Sequence, residues 1–302
     1  MKKLLAGIAF FLSILAGAQQ YVDVLSLGYT TTPETGYDAV DGTTRIRQAN
    51  LELFVPVPLN TRTALITGLS GNLDRLRPDP ADETLGLYSA AAILGLNFTY
   101  ENGWSSRHIL RPQLVSSLQF GRQQLQLGSL QMLQKELSPN KSMGFGVFLN
   151  AEEYGLLFVP ILSFYYLHPQ DLWEVSAFLP ARGDVNRRLS RSLRLGLHFD
   201  GLGSSYPLNL EPYGEAYVQR ASNDLSLYLQ YRLTPSLIFS LKGGYSLFRS
   251  YRIYDKSDQV GFSMLNIYFN DQRNILNETV KDGVHFGLRC IYRFHLPAGN
   301  QE

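Results

Sequence analysis

The chain has 302 residues, a formal net charge of +1 at pH 7 and a mean hydropathy of −0.10. The near-neutral charge gives no reason to expect nucleic acid as a partner, and the low hydropathy does not suit a helical membrane protein. The single cysteine, Cys290, excludes an internal disulfide and a cysteine-rich metal site. Aromatic residues make up 12% of the chain. Low hydropathy with many aromatics suits a β-barrel, whose strands are apolar only at every second position.

The first residues have the pattern of an export signal. A charged start, Met1-Lys2-Lys3, precedes the apolar run Leu4–Ala16, and small residues end at Ala18. The apolar run is too short for the ~20 residues that a membrane-spanning helix needs. We therefore predict a signal peptide over 1–18, which is cleaved, and a single β-barrel domain over 19–302.

Strand-like runs bounded by Gly, Pro, Asn and Asp follow along the rest of the chain. The predicted runs are 20–31, 43–55, 60–70, 86–101, 105–119, 123–134, 143–150, 154–167, 172–180, 188–200, 209–220, 225–233, 236–252 and 282–296. The region 105–134 is the weakest, because its Gln-rich part, 119–134, also suits a helix or a loop. The count is therefore fourteen strands, with twelve as the alternative. Residues 261–270 are predicted as a loop or short helix.

Alternation within the runs predicts which face each side chain occupies. Because successive residues of a strand point to opposite faces, one face of 225–233 is apolar and the other is mostly polar. In an outer-membrane barrel the apolar face contacts lipid and the polar face lines the lumen. The predicted lipid contacts are Leu225, Leu227, Leu229 and Leu233.

Connection lengths predict the orientation. Outer-membrane barrels have short periplasmic turns and longer outer loops. With the first strand running outward, the periplasmic turns are 56–59, 102–104, 135–142, 168–171, 201–208 and 234–235, and the long connections 32–42, 71–85 and 253–281 lie outside.

Inward-facing polar residues on neighbouring predicted strands form the best candidate site. These residues are Arg194, His198, Asp200, Glu211, Glu215 and Gln219. His198 is the candidate base of a barrel-embedded hydrolase. Inward charges on adjacent strands also pair simply to satisfy one another, and we favour this structural network. No catalytic spacing is readable, since triads are spatial, and no metal-binding pattern is present. We predict no catalytic residue, metal or cofactor.

Arginines at predicted strand ends and loops form a second candidate feature. They are Arg45, Arg47, Arg187, Arg188, Arg191, Arg249 and Arg252. At an outer rim, guanidinium groups bind lipopolysaccharide phosphates in bidentate fashion. The alternative, which we favour, is a polar rim above the lipid band.

Two segments carry a resemblance to known families. The last strand, Val284–Phe294, looks like the closing strand of bacterial outer-membrane proteins, with Tyr292 and Phe294 as its aromatic signal. The run Gly155–Tyr166, followed by Trp173–Pro180, resembles uncharacterised outer-membrane barrels of Bacteroidota, a domain-of-unknown-function family. The resemblance implies a location in the outer membrane of a Gram-negative bacterium and delivery by the barrel-assembly machinery. It brings no catalytic residues.

Together these observations predict an all-β, transmembrane, antiparallel up-and-down barrel. The predicted role is a non-enzymatic, porin-like pore or transporter for small solutes, or an envelope scaffold, surrounded by outer-membrane lipid and lipopolysaccharide. The alternatives are a hydrolase in the barrel wall that acts on envelope lipid, and a secreted all-β binding protein whose apolar faces meet in a sandwich.

Overall fold

The computed structural model of the protein describes residues 21–117, 122–265 and 267–295. Within these residues, fourteen antiparallel strands form a closed barrel. They are β1 (Tyr21–Thr31), β4 (Arg47–Pro58), β5 (Thr63–Leu76), β6 (Leu85–Thr99), β7 (Trp104–Ser117), β8 (Arg122–Ser138), β9 (Lys141–Glu152), β10 (Gly155–Leu167), β11 (Trp173–Leu179), β12 (Arg182–Arg188), β13 (Leu193–Leu210), β14 (Gly214–Arg232), β15 (Leu237–Asp255) and β18 (Gly283–His295).

Four short strands and one helical turn lie in the connections. They are β2 (Thr35–Gly36), β3 (Thr43–Thr44), β16 (Gly261–Met264), β17 (Ile267–Tyr268) and the 3-10 turn Glu101–Gly103. None of the helices in the described residues has the length and apolarity needed to cross a membrane.

The barrel closes where β1 pairs with β18, so that Tyr21 lies opposite His295. This end of the barrel carries the short connections, such as 139–140 and 233–236, and we call it the turn end. The opposite end carries the long connections 32–46 and 256–282, and we call it the loop end. Closure leaves no unpaired edge along most of the wall, which is the condition for strands to cross a hydrocarbon layer.

Alternation in the sequence becomes an apolar outer surface in the structure. Leu225, Leu227 and Leu229 on β14 are 42%, 57% and 43% exposed, whereas Ser226 between them is 1% exposed. The remaining predicted lipid contact, Leu233, is 56% exposed just beyond the strand. On the closing strand Tyr292 is exposed and Phe294 is half-buried.

The predicted strands are joined and divided wrongly in one region, although the number of strands is right. The predicted strand 188–200 joins the end of β12 to the start of β13, and the real turn between them is 189–192. Residues 201–208, predicted as a turn, lie inside β13. Residues 209–220 and 225–233, predicted as separate strands, fall largely within the single strand β14. The two errors cancel in the count.

Two further expectations can be compared with the described residues. The Gln-rich stretch forms strand β8 from residue 122 onward, and the region 261–270 contains β16 and β17 instead of only a loop or helix. Pro160 lies in β10 between the residues that pair with β11 and those that pair with β16, where no strand neighbours it on that side. A proline is tolerated at such an edge because it lacks a backbone N–H. The predicted signal peptide, residues 1–18, lies outside the described residues.

Candidate functional site: a cavity beneath a gap in the barrel wall

The barrel wall is shortened on one side by the hairpin of β11 and β12. Each of these strands has seven residues, whereas β13 has eighteen. β11 pairs with β10 only over Leu162–Leu167, and β12 pairs with β13 only over Arg194–Asp200. The hairpin therefore ends halfway along the barrel. The loop-end halves of β10 and β13 have no barrel strand between them.

The loop-end half of β13 turns inward and contacts the wall formed by β7, β8 and β9. Ser205 donates its backbone N–H and its hydroxyl to Glu152 Oε2, at 2.8 and 2.6 Å. The Ser205 carbonyl accepts a hydrogen bond from Gln126 Nε2 at 3.1 Å. Two residues further along, the Pro207 carbonyl accepts a hydrogen bond from Ser117 Oγ at 2.7 Å. Buried backbone groups need such partners. Side chains of the opposite wall thus bind the backbone groups of β13 that the short hairpin leaves without a strand partner.

This inward-turned sheet closes the loop end with a hydrophobic core. The core residues come from β13, β14 and β15, from the loop-end parts of β5, β6 and β7, and from the long connections. They are Tyr37, Ile46, Leu76, Leu85, Leu87, Val115, Tyr206, Leu208, Ala216, Val218, Tyr251, Ile253 and Val280, and each is at most 2% exposed. Side chains packed so closely fill this half of the lumen.

The connection 256–282 covers the gap from outside. Its strand β16 runs parallel to β10 and pairs with Gly155–Phe158, in the place that a wall strand would occupy. The pairing needs glycine at its start, because Gly155 has φ +130° and a Cβ there would lie 2.6 Å from the backbone of Gly261. Leu265 continues the contact by donating its N–H to the Phe158 carbonyl at 3.2 Å.

Arg273 fixes this covering connection to the barrel. Its guanidinium carbon lies 4.2 Å from the ring centre of Tyr254 and 4.5 Å from that of Tyr268. It also donates to Gln219 Oε1 at 2.8 Å and to Tyr217 Oη at 3.2 Å, and its side chain is only 2% exposed. Hydrogen bonds from the same group hold the pKa of the Asp271 carboxyl below its usual value. We call this set the arginine cage.

A cavity of about 430 Å³ lies in the middle of the barrel beneath the gap. Its walls are mainly the apolar side chains that point inward from β4 and from β6 to β11, together with the tip of the short hairpin. The lining residues are Phe54, Ile93, Ile109, Arg111, Leu130, Phe148, Leu157, Val159, Ile161, Phe178, Pro180, Ala181, Gly201, Gly203, Asn223 and Leu265. Barrel lumens are usually polar, so an apolar lining at this depth is a departure that needs an explanation.

Toward the turn end, charged side chains bridge the lumen. Arg182 on β12 lies 3.2 Å from Asp200 and, across the barrel, 3.2 Å from Glu52 on β4. Nearer the turn end, Arg194 donates to Asn186 at 2.7 Å and lies 3.5 Å from Glu174. Arg194 and Glu174 are buried, and buried charges require such partners. The contacts of Arg182 with Glu52 and of Arg194 with Glu174 join strands that are not neighbours in the sheet.

The structure places the predicted cluster only in part where the sequence suggests. Arg194, His198 and Asp200 point inward and belong to the polar network. Glu211 and Glu215 are exposed at the loop end instead, where Glu215 pairs with Lys256 at 2.7 Å. Gln219 is buried but belongs to the arginine cage. The misplacement follows from β14, whose true register puts Ser226 opposite His198.

His198 has neither ring nitrogen free for catalysis. Nδ1 lies 3.1 Å from Asp184 Oδ2, and Nε2 lies 2.9 Å from Asp200 Oδ2. A general base needs one nitrogen directed at the nucleophile. The arrangement is that of a structural network. In the described residues, no group of three or more His, Cys, Asp or Glu side chains is placed to hold a metal ion.

Residues 93–279 match a family described as "Domain of unknown function (DUF6268)". The chain belongs to DUF6268. No curated protein matches it. Among solved structures, this DUF6268 protein is similar to the TodX monoaromatic hydrocarbon channel deltaS2 mutant, with 8% identity, 90% of each chain covered and a TM-score of 0.40. It is also similar to the COG4313 outer membrane channel from Pseudomonas putida F1, with 9% identity, 89% and 94% coverage and a TM-score of 0.42.

A third similar structure is a triple mutant of the Rhodopseudomonas blastica porin, with 9% identity, 89% and 100% coverage and a TM-score of 0.26. The three structures are thus described as two channels and one porin. The predicted fold class, an antiparallel barrel of fourteen strands, is confirmed. The predicted Bacteroidota origin stays a prediction.

Proposed function

We propose that this DUF6268 protein resides in the outer membrane as a non-enzymatic channel that binds small apolar solutes in the mid-barrel cavity and passes them on. The apolar cavity is the observation that carries the proposal. In the orientation that we propose, the turn end faces the periplasm and the loop end faces the outside of the cell, because outer-membrane barrels have short periplasmic turns and long outer loops.

The cavity has the size and lining for one small hydrophobic molecule. Fourteen of the sixteen lining residues have no polar side-chain group, and the exceptions are Arg111 and Asn223. A cavity of ~150 Å³ lined by Leu, Ile and Phe binds benzene and stays dry without it. A cavity of about 430 Å³ therefore accommodates a solute larger than a single ring. Such a molecule gains roughly 25 cal/mol for each Å² of apolar surface that leaves water.

The gap in the wall supplies the route between this cavity and the membrane. The polar bridges obstruct the lumen on the turn side, and the hydrophobic core closes the loop end. Leu265 of the covering connection lines the cavity and is 38% exposed. Beside it Phe262 and Ile267 of the covering connection are 41% and 57% exposed, which suits a surface in contact with lipid. Displacement of this connection opens the cavity sideways.

A filling substitution with a matched control tests the cavity. Ile109 points into the cavity, while the next residue, Leu110, points to lipid and is 53% exposed. Ile109→Trp therefore occupies the cavity, and Leu110→Trp adds the same group outside. The assay is displacement of the apolar dye N-phenyl-1-naphthylamine by naphthalene from purified protein in detergent.

We expect saturable dye binding by the wild type and by Leu110→Trp, and its loss in Ile109→Trp. Heat-dependent gel migration checks that both variants keep the folded barrel. Equal binding by the two variants, with both folded, shows that the dye is in the detergent or on the outer surface and rejects the proposal.

A further inference from the structure

Four arginines form one exposed cluster at the loop end of β4 and β5. Arg45, Arg47, Arg75 and Arg77 are all exposed and alternate with buried neighbours, so they share the outward face of the barrel. They line a cleft of about 380 Å³. Arg45 and Arg47 belong to the arginines predicted at strand ends, whereas Arg75 and Arg77 lie where only a loop was predicted.

Two arginines of the cluster occupy opposite positions on neighbouring strands. Arg47 and Arg75 are opposite residues of the β4–β5 ladder. Like charges at such positions repel and destabilise a sheet. The nearest acid in the cleft is Glu34, whose Oε1 lies 3.9 Å from Arg45 Nη2, and both of these side chains are largely exposed. The cleft thus holds four positive charges against one negative charge, an arrangement that an anion stabilises.

A shallow apolar groove continues from the cluster down the outer wall. The ladder places the pair Ala49–Leu73 next to the arginines, and Leu51–Gly71 one step further toward the turn end. Gly71 in turn pairs with Ala90 on β6, so three small residues form the floor of the groove. Leucines stand on either side of them. Small residues flanked by leucines leave a furrow in a surface that otherwise contacts lipid.

From this combination we propose that the arginine cluster and the groove form a specific site for a phosphorylated glycolipid of the outer leaflet. The phosphates lie among the guanidinium groups, which bind phosphate in bidentate fashion, and an acyl chain lies along the small-residue groove. The position fits this ligand, because arginines just above an apolar band meet lipid headgroups at the level of their phosphates. The site is independent of the solute cavity, which opens on another part of the wall.

Binding of defined glycolipids to the full protein tests the site. The probes are a bisphosphorylated acylated glucosamine disaccharide, the same glycolipid without phosphates, and inorganic pyrophosphate. Each is titrated into detergent-solubilised protein, and the bound fraction is measured by native mass spectrometry. The variants are the double substitution Arg47→Ala/Arg75→Ala, the groove substitution Gly71→Leu, and the control Arg187→Ala, an exposed arginine near the turn end.

We expect the wild type and Arg187→Ala to bind the bisphosphorylated glycolipid equally. The double substitution lowers this affinity by about 100-fold, since one charge-assisted contact contributes at least about tenfold. Gly71→Leu weakens the glycolipid and leaves pyrophosphate binding unchanged. The wall tolerates the larger side chain, because a Cβ at Gly71 lies 3.7 Å from its nearest neighbour, the Ser89 carbonyl.

Three results overturn the proposal. The first is equal glycolipid binding by the double variant and the wild type. The second is equal binding of the glycolipid with and without phosphates, which reveals a purely apolar surface. The third is pyrophosphate binding as tight as that of the glycolipid and unaffected by Gly71→Leu, which reveals a site for free anions. Heat-dependent migration again reports whether each variant is folded.

Discussion

Arg273→Ala removes the centre of the arginine cage and should release the connection that covers the gap. The Arg273 side chain is almost fully buried, so water does not readily replace the contacts that the substitution removes. Two tyrosine rings lose a cation within 4.5 Å, and the side-chain oxygens of Gln219 and Tyr217 lose a charged donor. Desolvated cation–π contacts contribute roughly 2 kcal/mol, and hydrogen bonds to charged groups contribute about 1.5–3 kcal/mol.

These contributions are not additive, and about 3 kcal/mol is a fair total for the closed position of the connection. Since 1.4 kcal/mol is a factor of ten, the open fraction rises by about 100-fold. The barrel itself should remain folded, because Arg273 lies in the connection between β15 and β18 and takes no part in the pairing of the fourteen barrel strands. The variant therefore separates loosening of the cover from loss of the fold.

Hydrogen–deuterium exchange of the β16 amides, residues 261–264, measures this change. Their protection depends on the pairing with β10, so exchange should accelerate by about two orders of magnitude in Arg273→Ala. Arg187→Ala is the matched control, because Arg187 also stacks on an aromatic ring, at 5.2 Å from Trp173, but near the turn end. Exchange within threefold of the wild type in Arg273→Ala refutes the view that the cage holds the cover.

Three further outcomes are expected. Phe158 and Met264 are paired residues, and a disulfide between cysteines at these two positions should slow dye release without changing the equilibrium affinity. A reductant should restore the rate of release. Unaltered release under oxidising conditions argues against the sideways route. Asp74→Ala should destabilise the barrel by about 3–5 kcal/mol, because the Arg220 charge 2.9 Å away stays buried without its partner, and the urea midpoint of heat-dependent migration should fall accordingly. Hydrogen bonds from the cage lower the pKa of Asp271. The stabilising effect of the Asp271 carboxylate is therefore present above the unfolded pKa of about 3.9 and is lost as pH falls through the folded pKa. Protection of the β16 amides should be constant from pH 7 to about pH 4 and decline below, and a decline near pH 6 would point to a different group.

The sequence was sufficient for the parts of the fold that depend on local alternation. Strands such as 225–233 show a regular change between apolar and polar residues because one face lies on the outside of the barrel and the other faces the lumen. That rule breaks down for 201–208, where four consecutive residues of β13, 205–208, are all buried in the inward-turned sheet. The small residues of this segment are typical of a turn. Within strand β13, however, glycine is needed at position 201 because a Cβ there would lie 2.6 Å from the Pro180 carbonyl.

The cavity could not be predicted from the sequence, because its lining is assembled from a few side chains on each of many strands. One signal was nevertheless available. Ile93-Leu94 and Ile109-Leu110 are adjacent apolar pairs in strands that otherwise alternate. In each pair one residue must point into the lumen, so such pairs mark apolar positions on an inner face. The arginine cage could not be foreseen, since it joins a loop residue to side chains that are distant in sequence.

The parallel pairing of β16 with β10 also dictates an order of events during biogenesis. Strands joined by short turns can add to a growing sheet one after another, but β16 follows β15 in the chain and sits beside β10. Contacts between segments so far apart in sequence cost more loop-closure entropy, so we expect this pairing to form late. Until residues 256–282 cross over, a barrel under construction has an unfilled side that exposes its interior. The crossing segment directly precedes β18, so completion of the wall and closure of the cylinder against β1 both wait for the last part of the chain to arrive.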